Sequence, residues 1–103
     1  MRPRYLGIEV AGQPVPRLSP AAWHDLLQHR WRAHAEPTQQ FRIIRVAPTR
    51  ALVEVDQRTL ALGRTAWNAV IVADGERSYR VATVRAWGTL VSGKAWLRAA
   101  ADR

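Results

Sequence analysis

The apolar residues of this sequence change their spacing in an order that few folds accommodate. Residues 5–10 alternate, with Leu6, Ile8 and Val10 on one side and Tyr5, Gly7 and Glu9 on the other. That period of two predicts a strand with one buried face. Gly12, Pro14 and Pro16 then break the pattern into a connecting loop. Ser19-Pro20 is a helix start, because a serine oxygen accepts from the orphan N–H groups and proline at the first position loses nothing. Trp23, Leu27 and Trp31 follow at i, i+4 and i+8, with Leu26 beside them. The spacing predicts an amphipathic helix of about fifteen residues that ends before Glu36-Pro37. Residues 40–47 and 51–56 read as two strands, and the short link Pro48-Thr49-Arg50 pairs them antiparallel as a hairpin. From Thr59 or Leu60 to about Ala73, Leu62, Ala66, Trp67, Val70, Ile71 and Ala73 fall at helical spacing, with Asp74-Gly75 as a stop. Residues 78–86 return to strand character, and after Gly88 and Gly93 the tail from Lys94 to Ala101 predicts a short helix.

The resulting order, β-α-β-β-α-β, predicts an α+β fold: a ferredoxin-like, RRM-like sandwich. Its sheet would be four-stranded and antiparallel, in the order 4-1-3-2, with two helices on one face and a short C-terminal helix. At 103 residues, with no internal repeat or composition break, residues 1–103 form a single domain. No apolar run reaches the roughly 18 residues that a membrane span needs, and the opening stretch is too short and interrupted for a signal peptide. These features carry the expectation of a soluble, cytoplasmic protein.

Charge narrows the partner. Sixteen basic residues stand against eight acidic ones, a net charge of +8. Fifteen of the sixteen are arginine, leaving Lys94 as the single lysine. A small domain this basic attracts polyanions, nucleic acid first, an acidic protein second and an anionic membrane third, since no basic amphipathic helix stands out. The strand arginines Arg42, Arg45, Arg80 and Arg85 fall on the two predicted sheet edges, whereas the central strands carry Glu9, Glu54 and Asp56. A cross-strand pair such as Arg42 with Glu54 is ordinary sheet stabilisation and absorbs part of the charge. The aromatic signature with which RNA-recognition domains stack bases is absent from Ala51-Leu52-Val53-Glu54-Val55-Asp56. Tyr5 is the one stacking candidate on a central strand, so phosphate and shape contacts would dominate any RNA binding. Trp23, Trp31 and Trp67 belong on core-facing helix surfaces. Trp87 and Trp96, near the tail, are candidates for a protein partner's surface, with Leu97 beside them.

A catalytic constellation does not emerge. The absence of cysteine excludes disulfides, thiolate metal sites and thiol nucleophiles. His24, His29 and His34 recur every five residues, which on a helix rotates each by about 140° from the last and keeps them from sharing a metal. The carboxylates show no acid–base pair, the serines no nucleophile elbow, and no phosphate-binding glycine loop occurs. Acylphosphatases share the topology, but their arginine-bearing phosphate loop is missing.

One resemblance sharpens this reading. Arg4-Tyr5-Leu6-Gly7-Ile8-Glu9-Val10 resembles the opening strand of the small α/β protein subunit of archaeal and eukaryotic ribonuclease P, the protein component 2 family. The helix with Trp23 and Leu27, the strand 51–56 and the segment Arg64–Ile71 follow that family's order. Val81-Ala82-Thr83-Val84-Arg85-Ala86-Trp87-Gly88-Thr89-Leu90 is similar to its later motif, keeping Thr83, Gly88 and Thr89. It departs at Arg85, which stands at the motif's first glycine, and at Ala86-Trp87, which replaces Val-Ser.

The resemblance implies a non-catalytic RNA-binding subunit with no activity alone. Ribonuclease P removes the 5′ leader of precursor tRNA, and its RNA holds the magnesium ions that do the chemistry, so the protein itself needs no cofactor. The implied partners are ribonuclease P RNA, precursor tRNA and a TIM-barrel-type protein subunit, joined in a hetero-oligomer without a membrane. RNA-contact candidates are Arg2, Arg4, Arg42, Arg45, Arg80, Arg85, Lys94 and Arg98. The alternative is a generic basic ferredoxin-like module for another structured RNA or an acidic protein.

Overall fold

A computed structural model describes residues 2–72 and 77–101. β1 (Pro3–Ala11) lies at the centre of the sheet because its alternate residues Leu6, Ile8 and Val10 are almost wholly withdrawn from solvent. α1 (Pro20–His34) begins as the sequence predicts: the Ser19 hydroxyl accepts from the Ala22 N–H, and Pro20 occupies the first turn. The hairpin of β2 (Arg42–Ala47) and β3 (Arg50–Asp56) follows, then a 3₁₀ turn at Gln57–Thr59.

The second helix departs from expectation. α2 runs only from Leu60 to Trp67, and Ala69–Val72 form a further strand, β4. β4 pairs with β5 (Ser78–Trp87), giving a five-stranded antiparallel sheet in the order β2-β3-β1-β5-β4. The four expected strands keep their expected order, and β4 is an addition at one edge. Val70, Ile71 and Val72 are β-branched and favour strand over helix once β5 offers a hydrogen-bonding partner. The expected stop at Asp74-Gly75, and Ala73, lie outside the described residues. The strand with Arg80 is therefore interior over Ser78–Val81, where β4 covers it, and open beyond.

Asn68 makes the junction between α2 and β4. Its Oδ1 accepts from the Thr83 N–H at 2.8 Å, and its Nδ2 donates to Thr83 Oγ1 at 2.9 Å and to the Arg64 carbonyl. The amide takes over the β5 edge just where β4 stops covering it. Asn68→Ala should lower stability by about 1–2 kcal/mol, read as a lower urea midpoint with unchanged slope. An unchanged midpoint would remove this role.

The helices divide between the two sheet faces. α1 and α2 cover the face of Leu6, Ile8 and Val10, where Trp23, Leu27, Trp31, Val53, Val55, Ala66 and Trp67 complete the core. Each core tryptophan also satisfies its indole N–H on a backbone carbonyl: Trp23 on Ala47, Trp31 on Gln39 and Trp67 on Leu27. Arg30 Nε donates to the Ala66 carbonyl at 2.8 Å and ties α1 to the end of α2. α3 (Leu90–Ala101) instead crosses the opposite face. It starts four residues earlier than expected, because Gly93 lies within the helix rather than ahead of it. A Cβ at Gly93 would sit 2.8 Å from Leu52 Cδ1, so its absence lets the helix approach the sheet.

Candidate nucleic-acid interface

Sequence spacing alone would scatter the strand arginines over both faces, since Arg42 and Arg45 are three apart and Arg80 and Arg85 five apart. Each strand carries a bulge that reverses this parity. On β2, Ile43 pairs with Val53 and Arg45 with Leu52, leaving Ile44 as the extra residue. On β5, Thr83 pairs with Ile8 and Arg85 with Gly7, leaving Val84 as the extra one. Directly paired residues share a face. Arg42 lies opposite Glu54, Arg45 opposite Leu52, Arg85 opposite Gly7 and Arg80 opposite Ala11. Glu54 in turn pairs with Tyr5 and Leu52 with Gly7. All four arginines therefore stand on the face that α3 crosses.

Three acids lie on that face, Glu9, Glu54 and Asp56, and Asp56 accepts from the Arg58 N–H of the following turn. Glu54 accepts from both Nε and Nη2 of Arg42. Glu9 lies 3.9 Å from Arg50, whose guanidinium sits 4.6 Å above the Trp96 ring and donates to the Trp96 carbonyl at 2.9 Å. Arg50 is thus a clasp that holds α3 down, with only 14% of its side chain exposed. Arg45, Arg80, Arg85 and Arg98 are exposed, Lys94 is half-buried, and none meets a carboxylate among the described residues.

The aromatic candidates pack inward. Trp87 and Trp96 lie 5.3 Å apart, and both close over Gly7, where a Cβ would fall 2.9 Å from each ring. Leu97 is only 4% exposed and is used up in seating α3 on the sheet, so it offers a partner no surface in this arrangement. Tyr5 lies under the same helix, its Cβ 3.5 Å from where a Gly93 Cβ would be. Base stacking on the central strands would first require α3 to leave.

Arg2 and Arg4 stand apart from this face, at the end of the sheet where β1 begins. Arg4 reaches Gly88, whose missing Cβ would lie 2.9 Å from the guanidinium. The motif residues have structural tasks as well. Thr83 is held by Asn68, and Thr89 Oγ1 donates to Ser92 Oγ and accepts weakly from the Ser92 N–H at the start of α3. Burial raises the Tyr79 phenol above its ordinary pKa, so it stays neutral. Sequence reasoning overlooked Arg50 and Asn68. A strand-interior glycine at position 7 was the available signal for close approach from above.

The arrangement defines a class: a ferredoxin-like α+β domain whose outer sheet face is covered by a C-terminal helix and bordered by arginines. No family model and no curated protein matches the sequence. In structure it is similar to a chain in the cryo-EM structure of yeast ribonuclease MRP, with a TM-score of 0.68 at 12% identity. The match covers 99% of this chain and 91% of that one, so the shared fold extends from end to end.

Proposed function

We propose that the chain is an RNA-binding protein subunit of an RNA-processing ribonucleoprotein, and specifically a non-catalytic subunit of ribonuclease P. The end-to-end likeness to a chain of yeast ribonuclease MRP carries this reading. The sequence resemblance at Arg4–Val10 and Val81–Leu90 supports it independently, and the unpaired arginines give it chemistry. On this reading magnesium belongs to the RNA, and the protein's part is to bind and hold a fold of that RNA. A TIM-barrel-type protein subunit and precursor tRNA complete the assembly, in the cytoplasm.

Reconstituted cleavage of precursor tRNA, with and without this chain, is the test. Adding the chain to the catalytic RNA and the TIM-barrel-type subunit should raise the cleavage rate, most clearly at low magnesium. No gain at any magnesium concentration would overturn the ribonuclease P assignment.

A further inference from the structure

The geometry points to a double-stranded segment of RNA as the ligand of the α3 face, gripped on both sides of the helix. The inference rests on the RNA-binding reading and specifies the form of RNA and the way it docks. Three observations carry it.

The positive side chains stand in two rows. Arg42 and Arg45 project from β2, and Arg80 and Arg85 from β5. β2 and β5 are three strand steps apart in the sheet, roughly 14 Å at the usual strand spacing. On α3, Lys94 and Arg98 share one flank, since four residues complete about one turn. Trp96 lies on the other flank, against both Trp87 of β5 and the Arg50 guanidinium of β3. Lys94 and Arg98 of α3 therefore add to two strand rows of two cations each.

A ridge of small side chains separates them. Ser92, Ala95 and Ala99 are exposed along the outer surface of α3, while Gly93 and Leu97 point into the sheet. The ridge is firmly seated, clasped by Arg50 and by the Trp87–Trp96 pair. It presents nothing on which a splayed base could stack, and the aromatic rings of this face lie beneath it.

A single strand following either row would leave the other row unneutralised. An RNA duplex offers two phosphate ridges on either side of a wide, shallow minor groove. A low helical ridge with cations on both sides is complementary to that shape and charge. The helices of the opposite side carry the exposed Arg32 and Arg64, but α1 also carries Asp25, Glu36 follows it, and Arg30 is bound to the Ala66 carbonyl, so the charge there is more mixed.

Fluorescence anisotropy with the full chain tests the arrangement. The probes are an RNA duplex of about 16 base pairs, the length a minor-groove reader spans, one of its single strands, and the DNA duplex of the same sequence. The RNA duplex should bind more tightly than either of the others. Arg45→Gln with Arg98→Gln removes charge from the β2 row and from α3, and Arg80→Gln with Arg85→Gln from the β5 row. Each double variant should reduce the slope of log affinity against log salt by about 2. Ala95→Glu, on the exposed ridge, should cost at least about tenfold in duplex affinity by setting a carboxylate between phosphates. Thermal melts check that each variant remains folded. Equal binding of the single strand or of DNA, an unchanged slope in either double variant, or a silent Ala95→Glu would overturn the proposal. Duplex binding is measured without the catalytic RNA, so it stands or falls separately from the cleavage assay.

Discussion

Replacing Trp67 with alanine should lower the thermal midpoint by roughly 12–40 °C. The indole has no exposed surface. It stacks on Trp31 at 5.2 Å, meets the edge of Phe41 at 5.0 Å and donates to the Leu27 carbonyl at 3.1 Å. Removing a buried tryptophan costs about 3–5 kcal/mol through lost transfer energy and the cavity left behind. In a domain of about 100 residues each kcal/mol moves the midpoint by roughly 4–8 °C. The loss is a large fraction of the roughly 5–15 kcal/mol that holds an ordinary domain together. Trp67→Phe separates the contributions, because it retains much of the apolar contact but leaves the Leu27 carbonyl without its indole donor. That variant should cost about 1–3 kcal/mol. Melts followed by circular dichroism decide the matter. A midpoint for Trp67→Ala within a few degrees of the parent would mean that the α1–α2 layer is not held by this residue.

The second large effect concerns salt. If the six basic side chains of the α3 face engage phosphates, affinity for structured RNA should fall about a thousandfold between 50 and 200 mM monovalent salt. The number of contacts comes from the pairing on that face. Arg42, Arg45, Arg80, Arg85, Lys94 and Arg98 are counted. Arg50 is not, because Glu9 and Trp96 already hold its guanidinium. Arg42 is the weakest member, since Glu54 offsets part of its charge. The slope from a salt titration therefore counts contacts directly. Affinity that hardly changes with salt would reject phosphate contacts as the basis of binding, whatever RNA is used.

Much of the fold is legible in the sequence where local signals and tertiary needs agree. α1 is the clearest case: the Ser19 cap, Pro20, and the Trp23, Leu27 and Trp31 stripe all specify the same helix, and all three stripe residues are buried. The boundary of α2 is the opposite case. Val70 and Ile71 continue the helical spacing of Leu62, Ala66 and Trp67, so periodicity favours a longer helix. Strand pairing with β5 decides otherwise, and that interaction is not local. Gly93 misleads in a similar way, since its value lies in contact with Leu52 across the sheet.

The arginine face is harder to read for a more specific reason. Alternation assigns residues to faces only while the strand keeps its period, and the extra residues Ile44 and Val84 break it in β2 and β5. The residue types that suggest polyanion binding are plain in the sequence, but their convergence on one face depends on two irregularities with no composition signature. The aromatic residues show the same limit. Their number near the tail suggests a partner, whereas the fold turns Trp87 and Trp96 towards each other.

The closure of both indoles over Gly7 has an evolutionary consequence. No side chain can be gained at position 7 while Trp87 and Trp96 keep their present places. A side chain gained at position 7 therefore requires a change at one or both of the tryptophan positions. A homologue with alanine or a larger residue at position 7 should carry a smaller residue at 87, at 96 or at both. Aligned relatives should show these sites substituting together, although they are far apart in the chain and lie on three different elements.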